Sequence, residues 1–503
     1  MTVDQRPPDI PEAADATAEP VADATTEQGI PRQIKLVLSV LLVAAFVMIL
    51  NETVMGVALP NLMTQFSLTA ASVQWLTTGF MLTMAVVIPM TGLILQRFTT
   101  RAVFIASLVL FTAGTALAAA ATIFPVLVAA RVIQASGTAV MLPLLMTTVM
   151  TFVPAERRGR TMGLITIVIA VAPAIGPTFS GFILAHLSWR WMFLAVLPIA
   201  VFALILGAVL VKNLTEPRAV KLDLLSALLS AVAFGGLIYG LSSIGEAAAG
   251  NHTPVPPYAA VAAGAVSLAL FVLRQLRLQR DDAALMDLRP FQSRSFTVGI
   301  IMLLVSMATL FGSLILLPIY LQNVLGLDTL QTGLVVLPGG LAMGLSGPII
   351  GRLYDRFGPR PLVIPGSIVL AGALGLMTLL DQNSATGFVV VIHVLLSLGL
   401  STLMTPLMTS SLGSLRMELY SHGSAIMSTL QQVAGAAGTA VFITLMTTGA
   451  ASSLDAGAVP LVAQADGIHQ AFLWGAAMAL VAVAASFLVR KPAAPDGAPA
   501  LAH

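Results

Sequence analysis

A chain of 503 residues that is 57% hydrophobic and only 9% Asp, Glu, Lys and Arg is too poor in charge for a soluble enzyme, since soluble domains carry about 25% charged residues. A net charge of +2 with no cysteine excludes a nucleic-acid-wrapping surface, disulfides, thiolate metal sites and cysteine nucleophiles. The six histidines form no H-x-x-x-H pair and no G-x-x-x-x-G-K-[ST] loop is present, so the expectation is an integral membrane protein that binds no metal, cofactor or nucleic acid and hydrolyses no nucleotide.

In chain order, residues 1–30 come first, with seven acids, one Arg and many Ala, Pro and Thr. Such a segment buries too little apolar surface to offset its ordering entropy, and it lacks the basic start and apolar run of a cleavable signal. A disordered tail is expected over 1–33. Apolar runs of about 20 residues follow, each long enough to cross a hydrocarbon layer of about 30 Å. They lie at 34–60, 72–96, 101–121, 123–152, 161–185, 190–211, 222–245, 257–278, 295–321, 329–354, 360–380, 387–412, 422–448 and 469–490. None shows the alternation of a barrel strand, so the fold class is all-α, with fourteen spans. The even number puts both termini on one side. That side collects 22 of the 24 basic residues; Arg190 lies opposite and Arg131 lies inside a span. The positive-inside rule then makes both termini cytoplasmic.

Along the spans, the first carries Asn51 and Glu52. Glu52 is the one acid well inside a span, eight residues before Pro60. The fourth places Arg131, Gln134 and Thr138 at i, i+3 and i+7, on one helical face. An Arg in hydrocarbon costs several kcal/mol, so it should face a wet cavity or a partner. From the ends of their spans, Glu52 and Arg131 are each about 12 Å deep and can meet. The fifth span has Gly163, Gly176, Pro177 and Gly181, small residues that allow close helix packing and a proline that bends it. Asp223 opens the seventh span, where a cap is the ordinary reading and a second protonation role the other. Gln322 and Asn323 end the ninth span, and Gln431 and Gln432 lie in the thirteenth; all four are cavity candidates. His393, alone in an apolar span, reads as a packing histidine. Among the soft side chains that suit a surface accepting several ligands, Met48, Met55, Met81, Met141, Phe311 and Met427 are the candidates for its lining.

Two segments echo each other 259 residues apart, Gly92-Leu-Ile-Leu-Gln-Arg-Phe-Thr-Thr-Arg101 after the second span and Gly351-Arg-Leu-Tyr-Asp-Arg-Phe-Gly-Pro-Arg360 after the tenth. A repeated half is what a rocking transporter uses, with its site between the halves. The first six spans form one half (34–211) and the last six the other (295–490). Two inserted helices with linkers lie between them (212–294), and a second tail follows (491–503).

Four stretches resemble motifs of the major facilitator superfamily, in its fourteen-span drug:proton antiporter branch, which includes exporters of lincomycin-type antibiotics and quaternary ammonium compounds. They are the loop Gly351–Arg360 (G-x-L-x-D-R-x-G-x-R), Leu127-Val-Ala-Ala-Arg131-Val-Ile-Gln134-Ala-Ser-Gly137, Ala172-Pro-Ala-Ile-Gly176-Pro177-Thr-Phe-Ser-Gly181, and Leu50-Asn-Glu-Thr-Val-Met-Gly-Val-Ala-Leu-Pro60. The departures are Gln96 for the loop Asp, Thr99 for its Gly, Ser180 for a Gly of the fifth-span motif, and Asn51 for the first-span Asp, with Glu52 one position later. The resemblance implies the major facilitator fold in a bacterial plasma membrane. It implies a monomeric proton-coupled exporter of amphipathic drugs that exchanges them for protons among membrane lipids and has the proton gradient as its energy source. It also implies gating by Gly351, Asp355, Arg356 and Arg360 and by Gly176, Pro177 and Gly181. Proton coupling falls to Glu52 and Arg131, with Asp223 as a further candidate. Substrate contact falls to Asn51, Met55, Gln134, Thr138, Phe311, Gln431 and Gln432. A transporter of a physiological metabolite or lipid, and a scaffold or sensor that moves nothing, are the alternatives.

Overall fold

The computed structural model describes residues 31–489 apart from 69, 74, 212, 214–216, 218–222, 249–252 and 254. Residues 1–30 of the expected first tail, all of the second, and Arg6, Lys212, Arg218, Lys221, Arg490 and Lys491 of the charge count lie outside the described residues; Arg32 and Gln33, expected in the first tail, are instead the first residues of a helix. Among those described, fourteen helices are long and apolar enough to cross a membrane. Span 1 is Arg32–Phe66, span 3 Thr100–Ala120, span 4 Phe124–Phe152, span 5 Ala155–His186 and span 6 Arg190–Leu210. Span 7 is Leu224–Ala248, span 8 Pro257–Leu278, span 9 Arg294–Ile319, span 10 Thr329–Phe357, span 11 Arg360–Met377, span 12 Thr386–Gly413, span 13 Tyr420–Asp455 and span 14 Pro460–Ser486. Span 2 is interrupted: Trp75–Val87, a tight turn Ile88–Met90 holding Pro89, then Thr91–Arg97. Proline supplies no N–H to the ladder, and the Thr91 hydroxyl donates to the Ile88 carbonyl at 2.6 Å inside that turn.

Two helices exceed their apolar runs. Span 1 continues past position 60 to Phe66, where Ser67 turns left-handed at φ 50. Glu52 therefore lies fourteen residues from the helix end rather than eight, about 21 Å at 1.5 Å per residue. Span 14 begins at Pro460, nine residues before its apolar run. Proline at the first helical position starts a helix without regard to hydropathy, so polar residues such as Gln464 and Asp466 are helical too.

Spans 1–6 pack on one another, and so do spans 9–14. The bundles meet along two lines. At one, spans 5 and 10 run together: Gly159 and Gly163 face Gly351 and Gly347 so closely that a Cβ on any of the four would strike the opposite backbone. This is the small-residue packing that lets membrane helices approach without a hydrophobic driving force. At the other, span 2 faces span 13. Span 7 packs on both of them, and span 8 packs chiefly on span 7; Trp75 of span 2 stacks on Tyr239 of span 7 at 6.4 Å.

The stretch after span 8 folds back on the Arg-rich face. Gln275 accepts from the Leu285 and Met286 amides at 2.8 and 3.3 Å and donates to Ser226 at 2.8 Å. Arg289 bonds Asp282 and Asp287, and the hydrogen bond to Asp287, followed by that to Asp282, holds its guanidinium well above the usual range. The Asp287 amide donates to Nδ1 of His422 at 3.3 Å, at the start of span 13.

Candidate functional site

Arg131 is buried to 1% exposure, and the fold surrounds it with acceptors. Its Nη1 donates to Asn51 Oδ1 at 2.9 Å and to Gln134 Oε1 at 3.0 Å, its Nε points to the Leu76 carbonyl at 3.5 Å, and its guanidinium lies 4.1 Å from the centre of the Phe80 ring. Gln134 is held in turn by Thr115, 2.8 Å away in span 3. A desolvated cation on an aromatic face is stabilised by about 2 kcal/mol, and hydrogen bonds to a charged group by about 1.5–3 kcal/mol each. Together these offset the cost of burial.

Glu52 is one helical position from Asn51, about 100° around the axis, and points elsewhere. It feels the charge of Arg131 but forms no ion pair with it among the described residues. Instead it lines a cavity of about 180 Å³ between the two bundles. Met48, Met84, Met141, Met307, Leu314 and Phe311 are among the apolar side chains of its wall, and Thr53, Thr138, Ser428, Gln431 and Gln432 add polar atoms. Apolar walls with a few converging polar groups suit a small amphipathic ligand.

The cavity thus brings together Glu52, Thr138, Phe311, Gln431 and Gln432, with Met48 and Met141. Asn51 and Gln134 stand behind it as the holders of Arg131. Met55 lies in a separate apolar cluster with Leu62 and Phe193, Met427 is fully buried, and Met81 packs against the main core. Gln322 and Asn323 are exposed in a wide turn after span 9. Asp223 caps span 7 through the Ser226 amide at 3.2 Å and pairs with Arg274 at 2.6 Å. The hydrogen bond from that guanidinium, aided by Ser226 and outweighing the opposing effect of burial, holds its carboxyl well below the usual range. Phe80 and Thr115, which complete the Arg131 environment, carried no sequence signal, for both sit in apolar runs of other spans. Met84 and Ile88 were readable in principle, as an i, i+4 pair on one face of span 2.

The loop copies lie at the Arg-rich face. Asp355 accepts from the Gly159 and Arg160 amides at 2.7 and 2.9 Å, tying span 10 to the first turns of span 5; the helix N-terminus favours the negative charge there. Gln96 makes the matching contact to span 13, 3.4 Å from the Ser421 hydroxyl and the Glu418 carbonyl. Gly358 ends span 10 at φ 78, a backbone conformation that favours glycine. In the other copy Thr99 is extended and caps span 3 through the Ala102 amide. Arg158 adds a bond to the Tyr420 hydroxyl at 3.4 Å. Of the fifth-span motif, Gly176 faces Thr53 of span 1 and Gly181 faces open space; Pro177 belongs to the helix.

Residues 41–439 match the family model described as Major Facilitator Superfamily. The chain is similar to the lincomycin resistance protein LmrB of Listeria monocytogenes, 41% identical over 474 residues that cover 93% of this chain and 99% of that one. It is similar to the protein of the same name from Bacillus subtilis, at 38% identity over 90% and 95% of the two chains. It also resembles a multidrug resistance protein B homolog of Mycobacterium tuberculosis, at 31% over 79% and 73%. Among solved structures, the human organic anion transporter MFSD10 shares the fold, with a TM-score of 0.60 at 16% identity over 91% of this chain and 99% of that one.

Proposed function

The chain belongs to the Major Facilitator Superfamily, a transporter family rather than an enzyme family, and on that premise we propose that it exports amphipathic drugs in exchange for protons across the bacterial plasma membrane. In this reading the Arg-rich face is cytoplasmic, the monomer works among membrane lipids, and the proton gradient is the energy source, at about 2.3 kcal/mol per charge per 100 mV for its electrical part. The names of the relatives support drug efflux, with lincomycin-type compounds as the first substrates to try.

The observation that carries the proposal is the position of Glu52, a carboxyl on the cavity between the bundles with no ion-pair partner among the described residues. Arg131 is pinned by Asn51, Gln134 and Phe80, so it stays in place while the site changes face. Glu52 takes a proton when the cavity opens outward and releases it when the cavity opens inward, where the ionised carboxylate attracts the next amphipathic cation. Asp355, at the seam of spans 5 and 10, sets the balance between the two conformations. Asp223, paired with Arg274, is assigned a bracing role.

In proteoliposomes, Glu52→Gln is expected to bind lincomycin within a few-fold of the unaltered chain yet to lose efflux driven by a pH gradient. Efflux that stays coupled to the gradient in this variant would refute the assignment, and wild-type efflux indifferent to an uncoupler would refute antiport altogether.

A further inference from the structure

The two bundles repeat each other closely enough to be compared residue by residue. Arg131 is the eighth residue of span 4, and His393 is the eighth residue of span 12. Asn51 is the twentieth residue of span 1, and Ser313 the twentieth of span 9. In both cases the separation is 262 residues. Phe80, on which Arg131 stacks, corresponds to Gly339 at the spacing of the two loop copies, and the space a Cβ on Gly339 would need is occupied by the His393 ring. The second bundle thus repeats the Arg131 site with an imidazole in place of the guanidinium. The two copies differ in how they are satisfied. Arg131 and Asn51 bond each other at 2.9 Å, whereas Nδ1 of His393, whose ring is held by the Val336 backbone, and the hydroxyl of Ser313 are both buried without a hydrogen-bond partner among the described residues. An unsatisfied buried polar group costs about 1–3 kcal/mol, and a partner for Nδ1 would recover part of that.

We propose that His393 is a proton-carrying residue of the C-terminal bundle, the titratable counterpart of the permanently charged Arg131; the proposal rests on the proton-coupled reading above. A guanidinium keeps its proton at any physiological pH, while an imidazole exchanges it between about pH 5 and 8. The path to water is built into span 10. Gly339 faces His393, and its neighbour Gly340 faces Ala174 of span 5 across the seam between the bundles. Parting that seam moves the backbone against which His393 rests. In the opened state Nδ1 takes a proton from water, and on closure the proton leaves to water on the other side. Spans 9, 10, 11, 13 and 5 all pack on span 12. Their acidic and basic residues gather at the Arg-rich end, reaching as far in as Arg160 of span 5 and Arg352 of span 10, apart from Asp455 at the far end of span 13; His422 lies in the first turn of span 13, and span 12 itself carries no Asp, Glu, Lys or Arg. Tyr320 follows span 9, and its hydroxyl is committed to the Asp381 carbonyl at 2.6 Å. No fixed charge therefore decides the state of His393, and opening to water does.

The test is hydrogen–deuterium exchange at the imidazole Cε1 of the unaltered chain, followed peptide by peptide from pH 5 to 9 with and without lincomycin. His393 should show a sigmoid within that range whose midpoint moves on adding lincomycin. In proteoliposomes His393→Gln, which keeps an amide able to fill the site, should bind lincomycin as before. It should lose the wild-type inflection of efflux against pH, a change of roughly tenfold per pH unit on the steep part. A flat exchange profile at His393, or a wild-type pH profile in His393→Gln, overturns the proposal. If the variant does not fold, the exchange measurement on the unaltered chain decides. Loss of gradient coupling in Glu52→Gln together with an unchanged profile in His393→Gln rejects this inference alone, whereas wild-type efflux indifferent to an uncoupler rejects the antiport reading with it.

Discussion

Asp355 shows how much depends on one carboxylate. Its two oxygens take two backbone amides of the other bundle. Asp355→Asn keeps the size but replaces one acceptor oxygen with a donor, losing charge-assisted bonds of about 1.5–3 kcal/mol. Efflux is expected to fall about tenfold while lincomycin binding is retained, measured in proteoliposomes at equal protein; undiminished efflux would show that the contact is dispensable. Asn51→Ala leaves a guanidinium N–H of Arg131 unanswered, and is expected to lower thermal stability in detergent by about 1–3 kcal/mol. Arg131, Glu52 and Asp355 were legible in the sequence because charge in an apolar chain needs a reason. The division of labour between Asn51 and Glu52 was not. Adjacent helical positions point about 100° apart, and which of them faces span 4 depends on how span 1 is rotated against its neighbours. His393 gave no further signal for a related cause: a lone polar residue has no pattern of its own, and its counterpart is visible only once helix starts are fixed.

At the scale of elements, the seam of spans 5 and 10 is made of backbone meeting backbone. Gly163→Val would place a branched side chain against the Gly347 carbonyl and Pro348, where no flexible atom can move aside. The expected result is a protein that inserts in the membrane but is impaired in transport, with faster modification of a cysteine introduced at Ser346 by a membrane-impermeant thiol reagent from the Arg-rich side. Unchanged labelling and efflux would mean that the helices part more easily than this packing implies. The fourteen helices themselves were readable from hydropathy, since length and apolarity are local properties. Their ends were less so: span 1 and span 14 extend beyond the apolar run because backbone hydrogen bonding and a proline start, not hydropathy, decide where a helix stops.

For the molecule as a whole, the brace on the Arg-rich face joins spans 7 and 8 to span 13. The Asp223 carboxyl lies below its ordinary value in the folded protein because of Arg274. The pair therefore contributes stability in full above the ordinary carboxylate pKa of about 4, and that contribution fades as pH falls below it. Asp223→Asn, which keeps an oxygen to cap the helix, should melt at a lower temperature than the unaltered chain at pH 7, with the gap narrowing as the pH is brought below 4; a gap independent of pH would show that the ion pair is not its source. The position of span 7 has one more effect. It lies over the line where spans 2 and 13 face each other, while the opposite line is shut by glycine backbones. A solute dissolved among the acyl chains thus meets an extra helix on one flank and, toward the Arg-rich face, backbone packed on backbone on the other, so that sideways passage toward the cavity would have to displace one of them.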